Sequence, residues 1–198
     1  GRVREGLVYV KHRPAIRLPL ISMAVVGTLA INSQVTTPLV AREVFDSGPG
    51  IFALFGVCSG LGALVGTLAT GRLRATSSAG IGKASVWFGA TLLAFAVAPW
   101  VALSLIAIAA CSVAQGFFIS STNARLQTQV DDAYRGRVMS LYAILFLGST
   151  PIGSVIVSGI ASAVNVQTAI AVGGVAALAS GAYVLARSPQ VDGPTVNA

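Results

Sequence analysis

Three polar residues recur at helical spacing within the first long apolar stretch of the chain. Thr28, Asn32 and Thr36 are each four residues apart, so they share one face if this stretch is a helix. Their amide and hydroxyl groups do not titrate, but they donate and accept hydrogen bonds, which suits contact with an uncharged ligand. An Asn that faced lipid would be costly, so this face is expected to point toward other helices or a wet cavity.

Similar uncharged groups recur in two later apolar stretches. Gln115 lies in the fourth stretch, with Ser112 one turn away, and hydroxyl residues follow every four residues in the fifth. Two roles remain open for these residues: hydrogen bonds between helices, or the lining of a substrate pathway. The hydroxyl residues of the fifth stretch are Thr150, Ser154, Ser158 and Ser162. The pathway interpretation assigns substrate contact to Thr28, Asn32, Thr36, Gln115 and Ser154.

Neither catalysis nor metal binding is predicted. The interiors of the apolar stretches contain no Asp, Glu or His, so Ser149 and Ser154 have no base to activate them. The single histidine, His12, stands in a basic segment, and Cys58 and Cys111 lie in apolar stretches as small hydrophobic residues. We therefore expect no enzyme activity, no cofactor and no metal.

The composition is that of a membrane protein. Of 198 residues, 55% are hydrophobic and only 10% are charged, whereas a soluble domain has about 25% charged residues. The net charge of +7 does not indicate nucleic-acid binding, because the cations stand singly or in small groups between long apolar stretches. The partner expected from the composition is a lipid bilayer.

Six apolar stretches are each long enough to cross a bilayer as a helix. About 20 helical residues span a hydrocarbon core of about 30 Å. The sequence therefore predicts an all-α membrane protein with six transmembrane helices. The stretches are 16–40, 51–70, 81–98, 100–121, 138–164 and 166–186.

The distribution of charge predicts the orientation. If the six helices alternate in direction, the thirteen Lys and Arg residues all fall on the side of Gly1, except Arg42. Such an excess marks cytoplasmic loops, so both termini are expected in the cytoplasm. The segment "DDAYRGR" (131–137) is interpreted as a short cytoplasmic loop that precedes the fifth helix. Helix rise then places Asn32 about 24 Å from the inner end of its helix and Gln115 about 22 Å from the outer end of its own, which predicts different depths.

Four stretches carry a resemblance to a known family: "REGLVYVKHRPAIR" (4–17), "PLVAREVF" (38–45), "RGRVMSLY" (135–142) and "GSTPIGS" (148–154). They resemble the C-terminal half of a major facilitator superfamily transporter, in the bacterial branch of transmembrane secretion effectors that includes enterobactin and macrolide exporters. The resemblance implies two inverted three-helix repeats, which together form half of a twelve-helix transporter. It also implies an N-terminal six-helix half as partner, and a location in the bacterial inner membrane.

The resemblance extends to a cytoplasmic loop motif, Gly-x-x-x-Asp-Arg-x-Gly-Arg. The stretch "GTLATGRLR" (66–74) keeps Gly66 and Arg74, but Thr70 replaces the Asp, so a charge latch at this position is not expected. Arg135 and Arg137, at the start of the fifth helix, are predicted to act in gating. Pro151 lies between two glycines and is predicted to bend that helix. The residues assigned to gating or to the cytoplasmic loops are Gly66, Arg74, Asp132, Arg135 and Arg137.

The resulting interpretation is the half of an exporter that moves a small amphipathic molecule, of the drug or siderophore type, by alternating access. If transport is coupled to protons, coupling is expected to pass through the absent half, because no carboxylate or histidine lies inside the helices. Residues 1–15 are assigned to the end of a central loop, 16–187 to the transmembrane domain and 188–198 to a cytoplasmic tail. The opening Gly1 suggests a piece of a longer protein. Two alternatives stay open: a six-helix transporter that pairs with itself, and a membrane scaffold without transport activity.

Overall fold

Helices make up the regular structure of the chain. The computed structural model describes residues 2–46, 49–73 and 77–192, and all regular elements in those ranges are helical. They are α1 (Arg2–Lys11), α2 (Pro14–Leu29), α3 (Ser33–Leu39), a π-helical segment (Val40–Val44), α4 (Pro49–Leu73), α5 (Ser78–Ala96), α6 (Val101–Gln129), α7 (Asp132–Ala163) and α8 (Val166–Asp192).

The predicted six membrane spans are confirmed. Each is long and apolar enough to cross a bilayer, and the first is a composite of α2, α3 and the π-helical segment. The chain is thus an all-α, multi-pass membrane protein. The spans are Pro14–Val44, Pro49–Arg72, Ser78–Ala96, Val101–Gln129, Asp132–Ala163 and Val166–Asp192.

Several helices continue beyond the apolar stretches that predicted them. The prediction of a loop at 131–137 was wrong, because α7 already begins at Asp132. Charges determine where a helix enters hydrocarbon, but they do not end it. The ion pair between Asp132 and Arg135, one turn apart at 2.5 Å, instead supports the first turn of α7. In the same way α6 continues to Gln129 and α8 to Asp192.

The helix pairs follow an approximate two-fold pattern. The α4–α6 pair corresponds to the α2–α7 pair, and the α5–α6 pair corresponds to the α2–α8 pair. The most extensive contact is between α5 and α8. Exchanging the first three spans for the last three converts the α4–α6 pair into the α2–α7 pair, the α5–α6 pair into the α2–α8 pair, and the α5–α8 pair into itself. This is the packing expected of two three-helix repeats. Met23, Phe88 and Phe118 are fully buried where α2, α5 and α6 converge.

Glycines set the distance between the central helices. A Cβ atom on Gly89 of α5 would lie 2.6 Å from the carbonyl oxygen of Gly174 on α8. Farther along the same pair, a Cβ atom on Gly181 would lie 2.7 Å from the carbonyl oxygen of Gly82. A side chain at these positions would force the backbones apart, so the glycines permit the close approach of α5 and α8.

One end of the bundle, which we call the basic end, collects ionic contacts from several segments. Arg13 pairs with Asp131 at 2.9 Å, and Arg125 pairs with Asp192 at 2.8 Å. The backbone amide of Ala79 also donates to Asp192, at 3.2 Å. The beginnings of the first, third and fifth spans and the end of the last span therefore lie at this one end of the bundle, as expected if successive spans run in opposite directions.

Candidate functional site

The first span is interrupted near its middle. The amide of Ile31 donates to the carbonyl of Val26 at 3.0 Å, and the amide of Asn32 to that of Ala30 at 3.1 Å, so the regular four-residue pattern is lost. α2 ends at Leu29 and α3 begins at Ser33. The sequence analysis did not predict this break, because residues 30–32 contain neither Pro nor Gly.

The predicted polar face of this span is present as a series of local hydrogen bonds. Thr28 donates to the carbonyl of Ala24 at 2.7 Å, and Asn32 donates through Nδ2 to the carbonyl of Thr28 at 2.8 Å. Thr36 donates to the carbonyl of Asn32 at 3.2 Å. The Oδ1 atom of Asn32 is buried without a hydrogen-bond partner among the described residues. An unpaired buried acceptor costs about 1–3 kcal/mol, so the break carries unused hydrogen-bonding capacity.

α7 packs directly onto the break through glycine. A Cβ atom on Gly153 would collide with the carbonyl oxygen of Thr28 and lie 2.8 Å from Oδ1 of Asn32. One turn earlier on α2, a Cβ atom on Gly27 would lie 2.8 Å from Oγ of Ser149. These glycines bring α2 and α7 together beside the polar groups.

A cavity of about 500 Å³ lies where the break meets α6 and α7. Its described lining combines three amides, three hydroxyl groups and four apolar side chains, without a charged residue. Such a wall favours an uncharged molecule with both polar and apolar parts. The lining residues are Ile31, Asn32, Ser33, Gln34, Gln115, Phe146, Leu147, Thr150, Pro151 and Ser154.

The cavity collects some of the predicted pathway residues and leaves others aside. Asn32, Gln115 and Ser154 all line it, together with Pro151. Thr36 borders a separate space of about 10 Å³, which is too small for a ligand. Thr28 lines neither of these cavities, and its hydroxyl group is bonded within its own helix. Ser33, Gln34 and Thr150 line the large cavity although the sequence analysis did not assign them to substrate contact.

The predicted difference in depth between Asn32 and Gln115 was wrong. The spans that carry them are Pro14–Val44 and Val101–Gln129, and the second continues to Gln129 rather than ending at Ser121. Counted from the basic end of each helix, Asn32 lies about 27 Å and Gln115 about 21 Å along the axis. Both amides are therefore near mid-span, and one cavity reaches both.

α7 is not interrupted at Pro151, where the sequence predicted a bend. Thr150 instead donates to the carbonyl of Phe146 at 3.4 Å, one turn before the proline ring. Proline removes one backbone donor from a helix, so a bend at this position remains a prediction.

Gly66 and Thr70, which belong to the loop motif, lie within α4 and pack against α6. Gly66 lies inside α4, and a Cβ atom on it would collide with the carbonyl oxygen of Val113 on α6. Thr70, which replaces the motif's Asp, donates to the carbonyls of Gly66 at 3.2 Å and Phe117 at 3.4 Å. Arg74 lies outside the described residues.

The arginines predicted to act in gating have partners of different kinds. Arg135 pairs with Asp132 on the same helix, and both side chains are largely exposed. Arg137 pairs with Glu5 of α1 at 3.2 Å and lies over the ring of Tyr134, 5.3 Å from its centroid. Arg137 therefore joins two elements, whereas Arg135 makes a local contact.

The most buried ion pair among the described residues of the basic end was not predicted from the sequence. The side chain of Arg125 is only 5% exposed, and its partner Asp192 lies in a segment predicted to be a tail. Arg125 also donates from Nε to the carbonyl of Ala15 at 3.2 Å. With the amide of Ala79 bound to Asp192, this network joins α2, α5, α6 and α8.

An apolar six-span bundle is a multi-pass membrane protein, and the described lining of its cavity carries no charged residue. Within the described ranges, no group of His, Cys, Asp and Glu residues is placed to hold a metal ion. The model of the transmembrane secretion effector family matches residues 1–195, and the chain belongs to this family of transporters of the major facilitator type. Searches of curated proteins and of solved structures found no match.

Proposed function

We propose that the chain forms the C-terminal half of an exporter that carries small, uncharged amphipathic molecules across the bacterial inner membrane by alternating access. The observation that carries this proposal is the cavity of about 500 Å³, with its mixed amide, hydroxyl and apolar lining. Its volume falls within the usual range of small-molecule sites, about 300–1,000 Å³. The substrate class is of the drug or siderophore type.

The exposed faces of α4 and α7 support a partner half. These are the least buried of the six spans. Leu61 and Leu64 of α4, and Leu147 and Val155 of α7, are each more than 60% exposed. The two helices occupy equivalent positions in the two repeats, so one partner of matching symmetry covers both. A second six-helix half, preceding this one in the same polypeptide, is the proposed partner.

The basic end is the proposed cytoplasmic side, with both termini there. Its cations include Arg13, Arg125 and Arg137, whereas Arg42 lies at the opposite end beside Glu43. Positive charge is retained on the cytoplasmic side during insertion. Single cysteines at Ser77 and Asp46 test this orientation in a background without Cys58 and Cys111. We expect Asp46→Cys to react with an impermeant thiol reagent on intact cells, and Ser77→Cys to react only after permeabilisation.

The proposed coupling group lies in the other half. No described carboxylate or histidine lines the cavity, and Glu43 and Asp46 lie at the end opposite the basic end. A proton-driven cycle requires a group that changes protonation within the membrane. We expect Glu43→Gln and Asp46→Asn to retain transport driven by an imposed pH gradient. Loss of coupling in either variant would show that this half carries the coupling group.

The experiment that tests the proposed function measures efflux from cells that express the complete protein. The probes are N-phenylnaphthylamine, which is a neutral fluorescent dye, a macrolide and a catecholate siderophore. We expect energy-dependent efflux of at least one probe, and a changed preference among probes when Asn32 or Gln115 becomes Leu. Normal membrane levels with no efflux of any probe would favour the scaffold alternative. Activity of this chain alone as a dimer would favour self-pairing.

A further inference from the structure

The short helix α1 presents a mixed apolar and basic face to its surroundings. Leu7 is 54% exposed and Val8 is 52% exposed, whereas Gly6 and Val10 on the other face are buried. Lys11 is also exposed and lies one helical turn from both apolar residues. Two branched apolar side chains around an ammonium group form a surface suited to the boundary between lipid headgroups and acyl chains.

Positive charge dominates this part of the chain. Residues 2–17 contain five cations, Arg2, Arg4, Lys11, Arg13 and Arg17, against one carboxylate, Glu5. Glu5 pairs with Arg137, so it does not neutralise Lys11. Among the described residues, the ammonium group of Lys11 has no ion-pair partner.

Contacts at the basic end hold α1 beside the start of the membrane spans. The rings of Tyr9 and Tyr134 stack with centroids 4.2 Å apart, and Asp131 donates its amide to the hydroxyl of Tyr9 at 3.1 Å. His12 and Arg13 alone separate α1 from Pro14, where the first span begins. Because α1 is fixed within a few residues of the bilayer surface, its exposed face is within reach of lipid headgroups.

We propose that α1 binds the surface of a bilayer that contains anionic phospholipid. Leu7 and Val8 enter the boundary of headgroups and acyl chains, and Lys11 lies against a lipid phosphate. Basic residues beside a membrane-spanning helix are attracted to anionic lipid in this way.

The test uses the complete protein without Cys58 and Cys111, and with a single cysteine at Leu7 that carries an environment-sensitive nitrobenzoxadiazole label. The protein is reconstituted in vesicles of phosphatidylcholine, with or without phosphatidylglycerol. Brominated acyl chains report contact of the label with lipid, and aqueous iodide reports exposure to water. A label at Glu43, exposed at the opposite end, is the matched control.

We expect bromolipid to quench the label at position 7. Phosphatidylglycerol should raise the fraction of label that is embedded in lipid. Removing one charge with Lys11→Gln lowers the ratio of embedded to exposed label in phosphatidylglycerol vesicles about fivefold. The label at Glu43 does not respond to phosphatidylglycerol. Equal iodide quenching in both lipids would overturn the proposal. A label shielded from both quenchers would also overturn it, because that result means that protein covers the face.

Discussion

Two equivalent helix pairs of the bundle differ in how they pack. In the α4–α6 pair, Gly62 and Gly66 of α4 are in direct contact with the backbone of α6. From the other side, a Cβ atom on Gly116 of α6 would lie 2.5 Å from the carbonyl oxygen of Ala63 on α4. In the equivalent α2–α7 pair, Gly27 and Gly153 make close contact, but a helix break and a cavity lie next to them. One pair is closed, and the other leaves room for a ligand.

The difference indicates how a repeated architecture supports a single binding site. The closed pair contains a direct hydrogen bond between the hydroxyls of Ser59 and Ser112, with oxygen atoms 2.7 Å apart. The open pair leaves Oδ1 of Asn32 unpaired and places its neighbouring amides and hydroxyls around a cavity. We infer that the α4–α6 pair acts as a rigid support, and that the α2–α7 pair contributes the contacts that change with substrate.

The largest effect is expected where the closed pair is forced apart. Gly66→Val places a branched side chain against the carbonyl of Val113, which belongs to the helix backbone and cannot move aside. We expect a loss of about 3 kcal/mol in stability. The measurement is the fraction of protein that remains folded after heating in detergent. Gly71→Val, near the end of the same helix at the basic end, is the matched control, because a Cβ atom at Gly71 meets nothing within 4 Å. Equal loss in both variants would contradict close packing at Gly66.

The second effect concerns the ion pair between Arg125 and Asp192, which joins α6 of the closed helix pair to α8 at the basic end. Asp192→Asn removes the charge that faces Arg125, whose side chain is 5% exposed. We expect a loss of about 2 kcal/mol, since a buried charge would lose part of its compensation. The same heating assay measures it. Asp132→Asn, at an exposed pair on α7, is expected to leave stability unchanged. An unchanged Asp192→Asn variant would mean that the pair is dispensable.

The third effect is confined to the cavity. Asn32→Leu and Gln115→Leu remove hydrogen-bonding groups from its wall. Losing one such bond to a neutral substrate is worth about 0.5–1.5 kcal/mol, so we expect affinity changes of about threefold to tenfold that depend on the probe. Efflux competition measures the change. Gln127→Leu, outside the large cavity on the same helix as Gln115, is the control. Uniform loss of protein from the membrane would indicate a packing role instead.

The smallest effect separates the two arginines of α7. Arg137→Lys keeps the charge near Glu5 but loses the planar group over Tyr134. Such surface contacts are worth about 0.5–1 kcal/mol, so the transport rate should fall about twofold to fivefold. Arg135→Lys should transport normally, because its partner Asp132 lies on the same exposed turn. Normal transport by both variants would mean that the arginines act through charge alone.

The sequence predicted the six spans, and it singled out two of the three cavity amides, Asn32 and Gln115, because both features depend on local composition. The length of an apolar stretch determines whether it can span a membrane. An amide such as that of Asn32 must face away from lipid, whichever helices its own helix packs against. Spacing did not show which helix each face meets. Gly56 and Gly60 repeat the spacing of Gly62 and Gly66, yet only the latter two contact α6.

Long-range contacts were also beyond the sequence. The partner of Arg125 is Asp192, far along the chain, and only the folded bundle brings the two together. Likewise, the stacking of Tyr9 on Tyr134 depends on how α1 returns to α7. The break at 30–32 could not be predicted either, since no helix-breaking residue occurs there.

The most direct test asks whether substrate occupies the cavity beside α2 and α7. In the complete transporter without Cys58 and Cys111, a cysteine at Ser154 in the cavity wall is labelled with a thiol reagent in proteoliposomes. The matched control is a cysteine at Asp46, which is exposed at the end opposite the basic end. We predict that saturating N-phenylnaphthylamine slows labelling at position 154 several-fold and leaves position 46 unchanged. Undiminished labelling at 154, while the same vesicles transport the dye, would contradict it.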